Sequence, residues 1–137
     1  MRSYLIVANL TLCEPHLLEV VQERVDAGPC RFHVLVPAAH PSHGTWTEAD
    51  TRAAAAQRLE SLLATLKAQD VEADGEVGDI RAIDATLDAL RHDDYDEIII
   101  STLPPGASRW LRMDLVSRLQ RTVPVPVTHV VAEPARV

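Results

Sequence analysis

The most informative stretch of this chain is Glu97-Ile-Ile-Ile-Ser-Thr-Leu-Pro-Pro-Gly-Ala-Ser-Arg-Trp-Leu-Arg-Met-Asp114. The isoleucines at 98–100 form a short β-branched run, which predicts a strand that is covered on both faces. Prolines and a glycine at 104–106 end this strand, and the Ser108 hydroxyl can cap the helix that follows. Free backbone N–H groups and the helix dipole meet at such a junction, so we expect any ligand to bind here.

Apolar patterns on either side of this stretch predict four more strands. They place these strands at 3–8, 32–36, 71–77 and 125–131. Helical spacing separates them, with Pro15 in a first helical position, Thr47 as a cap and a third helix opened by 78–79. This alternation predicts a doubly wound α/β fold, in which a parallel sheet carries helices on both faces. If the first and fourth strands are neighbours, the ligand crevice is lined by 8–11 and 101–108.

The chain has the size of one domain and an acidic charge balance. Its 137 residues predict a single domain over 1–137, with a tail from about 133. The formal net charge of −7 and the pI of about 5.2 argue against a nucleic-acid partner. No apolar run approaches the roughly 20 residues of a membrane span and no signal peptide is evident, so we expect a cytoplasmic protein without a membrane partner. Cys13 and Cys30 are then expected to be reduced thiols.

Polar residues at the two predicted strand ends are the candidates for binding a small anionic ligand. Hydroxyls and helix N-terminal amides donate hydrogen bonds, and guanidinium groups add bidentate contacts to phosphate or carboxylate. The candidate residues are Asn9, Thr11, Ser101, Thr102, Gly106, Ser108, Arg109 and Arg112. The alternative is that Ser108 only caps its helix and that the two arginines pair with acids such as Asp114.

No arrangement typical of an enzyme or a metal site is found. The sequence contains no Ser-His-Asp order, nucleophile elbow, paired catalytic carboxylates or P-loop. Ser101 and Thr102 lack an evident general base, so a hydrolase is not expected. His40 and His43 lack two further ligands at metal-site spacing, so no metal site is predicted. His129 lies within a predicted strand, which favours packing or an interface over chemistry.

Four segments resemble the universal stress protein family in order and spacing, and the match covers essentially the whole chain. They are 5–11 (Leu-Ile-Val-Ala-Asn-Leu-Thr), 78–79 (Gly-Asp), 95–100 (Tyr-Asp-Glu-Ile-Ile-Ile) and 121–127 (Arg-Thr-Val-Pro-Val-Pro-Val). The resemblance implies a five-stranded parallel sheet in the order 3-2-1-4-5. The segment 101–114 also looks like the signature of a narrower subgroup of small stress-protein-like chains.

The family's ATP-binding loop is not matched. ATP-binding members of the family share a Gly-x2-Gly-x9-Gly-Ser/Thr motif after the fourth strand. Their first strand ends in an acidic residue, and the resemblance places Asn9 at this position. Alignment on the closing prolines puts other residues at the motif positions, namely Ile100, Leu103, Met113 and Asp114. A phosphate cradle needs converging backbone N–H groups, which the prolines at 104–105 do not have. We therefore expect no cofactor, and no ATP bound in the family's usual manner.

The last strand is the predicted homodimer interface. The resemblance implies that this strand lies at a sheet edge, and an exposed apolar edge has to be covered. A two-fold axis lets two identical edges cover each other, as members of the family commonly do. The predicted interface residues are Val127, His129, Val130 and Val131. The alternative is a monomer in which the tail at 132–137 covers the edge.

Three functions remain open from the sequence. The leading one is a non-enzymatic cytosolic module resembling the universal stress proteins, which forms a homodimer and has a degenerate nucleotide site. The alternative is a small-molecule sensor that binds a nucleotide or another anion at the junction of loop and helix over 101–112. The third is a weak nucleotide hydrolase.

Overall fold

The structure is a computed structural model that describes residues 1–8, 14–38, 47–78, 82–102 and 109–131. At 48, 82 and 109–115 it describes the backbone alone. The predicted tail from about 133 lies outside these ranges. Within them, no helix combines the length and the apolar character that a membrane crossing requires.

Strands and helices alternate along the whole described chain. In chain order they are β1 (Arg2–Val7), α1 (Pro15–Ala27), β2 (Cys30–Pro37), α2 (Glu48–Ala68), β3 (Glu72–Gly78), α3 (Ala82–His92), β4 (Glu97–Thr102), α4 (Arg109–Thr122) and β5 (Val127–Val131). The prediction of an α/β chain is confirmed. β5 begins at Val127, directly after Pro126, as expected from a proline that cannot donate a ladder hydrogen bond; Pro126 only accepts one, from the Ile98 N–H at 2.9 Å.

The strands form one parallel sheet in the order β3-β2-β1-β4-β5. This order confirms the prediction, and β3 and β5 are the two edges. β1 pairs directly with β4, with Ile6 opposite Ile99. The chain winds from β1 to β2 and β3 on one side and returns to β4 and β5 on the other, so the strand order reverses between β1 and β4.

The sheet separates two hydrophobic layers, because successive side chains of a strand point to opposite faces. On one face, Ile6, Val34 and Ile99 pack with Leu17 of α1 and Leu62 of α2. The other layer consists of residues from the sheet and from α3 and α4, among them Leu5, Leu35, Ile98, Ile100, Ala85, Val116 and Leu119. Burial of each large aliphatic side chain stabilises the fold by about 1.5–3 kcal/mol, so these layers hold the sheet in place.

Local sequence signals set the starts of α1 and α2. Pro15 occupies the first turn of α1, and the Glu14 carboxylate accepts the His16 N–H at 2.9 Å. Thr47 Oγ1 accepts the Asp50 N–H at 3.0 Å, and the Asp50 carboxylate accepts the Thr47 N–H at 3.4 Å, which completes a capping box. Both predicted helix starts are confirmed.

Gly78 has a different role from the predicted one. It is the last residue of β3, and α3 begins at Ala82. A Cβ at Gly78 would lie 2.8 Å from Leu35 Cδ1 and 3.1 Å from Ala85 Cβ. The glycine therefore allows the first turns of α3 to approach the sheet closely, rather than opening the helix itself.

Candidate functional site

The candidate site lies at the carboxyl ends of β1 and β4, where the strand order reverses. Open α/β sheets bind ligands in the crevice at this position. The described residues at this position are Ala8, which follows β1, and Ser101 and Thr102, which end β4. The predicted pairing of the first and fourth strands is confirmed, so the two lining segments begin side by side.

Ser101 is a buried hydroxyl without a hydrogen-bond partner. Its residue is 6% exposed, and it shares a sheet face with Ile99, toward α1 and α2. Of the buried polar side-chain atoms that the structure describes, Ser101 Oγ is the one for which no partner is found. Leaving a buried donor unpaired costs about 1–3 kcal/mol. A ligand group that bonds to Ser101 would recover this free energy.

Thr102 points to the opposite face of the sheet and does have a partner. Its Oγ1 lies 2.7 Å from Nε2 of His129 on β5. No general base for Thr102 was evident in the sequence, because its imidazole partner is 27 positions away and is brought to it only by the parallel register. His129 is also more than a packing residue, since its imidazole lies at the crevice end of β4 and bonds to a candidate ligand residue.

The amino-terminal end of α1 lies beside the last residue of β5. His16 Nδ1 is 3.0 Å from the carbonyl oxygen of Val131. The carboxylate of Glu14 already occupies the positive end of the helix dipole through its hydrogen bond with the His16 N–H. This side of the crevice therefore does not favour an anion, and any anion site would belong to the α4 side.

Several predicted site residues cannot be compared with the structure. Asn9, Thr11, Gly106 and Ser108 lie outside the described residues. For Arg109 and Arg112, only the helical backbone at the start of α4 is described. Their roles as anion ligands stay predictions. His40 and His43 also lie outside the described residues, so the expectation that they form no metal site stays a prediction.

The predicted interface residues lie on both faces of β5. Val130 is 7% exposed and packs in the same layer as Leu17 and Ile99, so its side chain belongs to the core of the single chain. Val127 and His129 are half-buried on the other face, and Val131 is exposed. The dimer itself stays a prediction, because the structure describes one chain.

The amino end of β4 carries a second polar cluster, which the sequence did not indicate. The Glu97 carboxylate accepts two hydrogen bonds of 2.9 Å from the Arg24 guanidinium of α1 and one from the Thr128 hydroxyl of β5. Arg24 holds the pKa of Glu97 below its usual value, and Glu97 raises the pKa of Arg24. This cluster ties α1 to β4 and β5, and its polar groups satisfy one another.

Neighbouring contacts at the same end of the sheet are also complete. The Asp96 carboxylate accepts the Ser3 N–H at 2.8 Å, and the Ser3 carbonyl accepts the Asp96 N–H at 2.7 Å. Arg31 donates from Nε to Ser3 Oγ at 2.6 Å. These bonds join β1, β2 and the segment before β4, so this end has a structural role.

Two grooves open near the edge strand β3, away from Ser101. One of about 310 Å³ lies against α3 and is lined by Glu76, Asp84, Asp88 and Arg91, among others. In the other, of about 230 Å³, His33 Nδ1 lies 2.7 Å from an Asp74 carboxylate oxygen, and burial raises the pKa of Tyr95 to about 12. Carboxylates predominate in both grooves, which makes them poor sites for an anion. In the described ranges, no three metal-ligating side chains converge on one point.

Comparisons with known proteins agree with this architecture. No protein-family model and no curated protein matches the sequence. A solved structure of a universal stress protein family member from Burkholderia pseudomallei is similar, with a TM-score of 0.69 and 13% identity over 93% of this chain and 94% of that chain. The fold is that of the universal stress proteins.

A second solved structure leads to the same assignment. It is a universal stress protein family protein from Arabidopsis thaliana with AMP bound, and it matches with a TM-score of 0.65. Its identity is 9%, over 97% of this chain and 93% of that chain. At such identities the likeness establishes the universal stress protein fold, while the ligand of the present chain has to be argued from its own residues.

Proposed function

We propose that this chain is a non-enzymatic, cytosolic module with the universal stress protein fold that binds one small molecule at the carboxyl ends of β1 and β4. Ser101 carries the proposal, because it combines burial, an unused hydroxyl and a position at the reversal of strand order. In a chain with a purely structural role, replacement of this serine by alanine would avoid an unpaired polar atom. A ligand that hydrogen-bonds to this hydroxyl accounts for a serine at a buried position.

The ligand that fits best is a nucleotide or nucleoside held differently from ATP in the family's ATP-binding members. The Arabidopsis structure, which shares the fold, has AMP bound. The prolines at 104–105 offer no N–H groups for a triphosphate, and the Glu14 carboxylate disfavours phosphate at α1. The site is therefore a degenerate nucleotide site, in which Ser101 bonds to an uncharged polar group of the ligand.

Thermal unfolding in the presence of nucleosides, nucleotides and organic acids tests this function. A compound that binds only the native state stabilises it by RT ln(1 + [L]/Kd), or about 2.7 kcal/mol at one hundred times Kd. We expect at least one compound to give saturable stabilisation, and Ser101→Ala to weaken its binding about tenfold.

The matched control is Ser117→Ala, which removes an exposed hydroxyl from α4 and should leave binding unchanged. Equal binding by Ser101→Ala and the wild type would contradict the proposed role of Ser101. A screen in which no compound stabilises the chain would contradict a ligand site altogether. Steady release of product from any nucleotide would contradict the non-enzymatic assignment.

We also propose that two copies pair along β5. β5 is a sheet edge, and Val131 at its end is an exposed large apolar side chain. Unpaired edge strands with apolar side chains favour association with another chain, and a two-fold axis satisfies both edges at once. Val130 does not report on this interface, because it packs in the core of its own chain.

Light scattering on Val131→Lys tests the dimer. We expect the wild type to have about twice the 15.1 kDa of one chain, and the variant to have the mass of one. Met1 is the other exposed large apolar residue among those described, so Met1→Lys is the matched control and should stay dimeric. A wild type with the mass of a single chain at micromolar concentration would rule out the pairing.

A further inference from the structure

The hydrogen bond between Thr102 and His129 joins the ligand crevice to the edge strand. Thr102 Oγ1 and His129 Nε2 are 2.7 Å apart, and both residues are half-buried. Thr102 is the last residue of β4, and His129 lies opposite Ile100 in the parallel pairing. The imidazole therefore reaches past its own register position toward the crevice end of the sheet.

The two hydroxyls at the end of β4 differ in what they can offer a ligand. Ser101 has its proton and both lone pairs unused by the described residues. Thr102 has the same inventory of one proton and two lone pairs, but one of these is used by His129. Which one is used depends on whether Nε2 of His129 carries a proton.

Two arrangements of this pair are chemically distinct. When Nε2 has no proton it accepts the Thr102 hydroxyl proton, and Thr102 can then only accept hydrogen bonds from a ligand. When Nε2 carries a proton, as it always does in the imidazolium, it donates to Thr102 Oγ1, and the hydroxyl proton of Thr102 becomes available for a ligand oxygen.

We propose that His129 is a positioning residue of the ligand site, which sets whether Thr102 donates to the ligand or accepts from it. With the imidazolium, Thr102 donates and the site takes an anionic oxygen, as in sulfate or phosphate. With the neutral imidazole that accepts at Nε2, Thr102 takes a ligand amine or hydroxyl donor instead. This inference rests on the proposed function, because it assigns hydrogen-bond chemistry to a group of the same crevice.

Among the described residues around His129, few carry groups that titrate near neutral pH. On its face of the sheet lie the apolar residues Ile100 and Val127. The ionisable residues of α4, the helix that packs on this face, are Arg109, Arg112, Asp114, Arg118 and Arg121. Arginine stays protonated and aspartate stays ionised between about pH 5.5 and 8.5. On the other face, Glu14 and His16 lie at the start of α1, so His16 is the second imidazole to control for.

Sulfate is the appropriate probe, because its charge does not change over this pH range. Its binding is measured at constant ionic strength by NMR, from the amide shifts of Ser101 and Thr102 and the ring shifts of His129. We expect sulfate to bind the wild type about tenfold more tightly at pH 5.5 than at pH 8.5, since a hydrogen bond to a charged group is gained. His129→Gln should bind weakly with no such pH profile, and His16→Gln should keep the profile.

A double-mutant cycle separates positioning from simple charge attraction. If His129 acts through Thr102, then at pH 5.5 Thr102→Val and His129→Gln each weaken sulfate binding about tenfold, and the double variant is no weaker than either. Thr102→Ser keeps the hydroxyl and should restore both the affinity and the pH profile.

Three results would overturn the inference. They are additive losses in the double variant, a pH profile that survives in His129→Gln, and an absence of sulfate binding to the wild type at pH 5.5. None of these contradicts the proposed ligand function, which depends on Ser101 and on the wider compound screen.

Discussion

Each end of β4 carries a buried polar side chain, and the two side chains differ in whether they have hydrogen-bond partners. At the amino end, the buried Glu97 carboxylate accepts hydrogen bonds from both Arg24 and Thr128. At the carboxyl end, the equally buried Ser101 hydroxyl has no partner among the described residues. The amino end therefore has a structural role, and the unused hydroxyl of Ser101 at the carboxyl end is the observation behind the proposed ligand site.

The physical reason for this difference is the position of each end in the sheet. At the amino end, α1 finishes near β4, and Arg24 in its last turn reaches Glu97. At the carboxyl end, the strand order reverses between β1 and β4, because β1 is followed by β2 on one side of it and β4 by β5 on the other. In parallel sheets a ligand crevice forms at such a reversal. Buried polar groups that the fold does not satisfy are then available to a ligand.

The largest effect should follow from breaking the amino-end cluster. Arg24→Met keeps the apolar stem but leaves the Glu97 carboxylate, 11% exposed, without its cation. We expect the free energy of unfolding to fall by about 3 kcal/mol in urea denaturation. Arg91→Met is the control, since Arg91 and Asp88 form an exposed contact of 3.9 Å, and it should cost less than about 0.5 kcal/mol. Equal losses in the two variants would contradict a special role for the cluster.

Lowering the pH should reduce the stabilisation by the same cluster, by less than the Arg24→Met substitution does. Arg24 lowers the pKa of Glu97 in the folded state from its usual 4.5, so this stabilisation is present above that pH and is lost as the pH falls through the folded value. In urea titrations at pH 7, 5, 4 and 3, the stability advantage of the wild type over Glu97→Gln should therefore shrink below about pH 4.5. An advantage that stays constant down to pH 3 would mean that the carboxylate has no depressed pKa.

A single hydrogen bond of this cluster should have a smaller effect. Thr128→Val keeps the β-branched shape on β5 and removes the donor to Glu97. The expected loss is about 1 kcal/mol in the free energy of unfolding, measured with urea at pH 7. A loss near zero would indicate that Arg24 alone satisfies the carboxylate.

The smallest and opposite effect is expected at the other end of the strand. Ser101→Ala removes a buried hydroxyl that has no described partner, so the free energy of unfolding should stay equal or rise by up to about 1 kcal/mol. Together with lost ligand binding, this result would make Ser101 a binding residue that the fold does not need. If the free energy of unfolding falls by more than about 1 kcal/mol, Ser101 stabilises the fold, as Glu97 does.

The parts of the fold that depend on local pattern could be predicted from the sequence. The apolar runs located all five strands, and Pro15 and Thr47 located two helix starts. The start of strand pairing in β5 after Pro126 also follows from the sequence, because a proline has no N–H to donate to the ladder, although the apolar character begins earlier, at Val125. Gly78 was assigned to the start of the third helix, but it ends β3. It leaves room for α3 to pack closely on the sheet, and this role depends on packing rather than on local sequence.

The candidate site was predicted only in outline. The position of Ser101 and Thr102 at the end of a central strand followed from the order of elements. The bond from Thr102 to His129 did not, because it depends on the register of two parallel strands whose paired residues are distant in the sequence. The link between Arg24 and Glu97 spans 73 positions and could not be found from spacing either.

The alternation of strands and helices, the parallel sheet and the position of Ser101 and Thr102 at the end of a central strand all follow from the amino-acid sequence. These depend on short-range periodicity and on hydrophobic burial, which are properties of neighbouring residues. Which polar groups meet, by contrast, depends on how the elements pack in three dimensions. The tertiary structure paired Glu97 with Arg24 and Thr102 with His129, and it left Ser101 without a described partner, because hydrogen bonds between elements depend on register and on helix placement to within a fraction of an ångström.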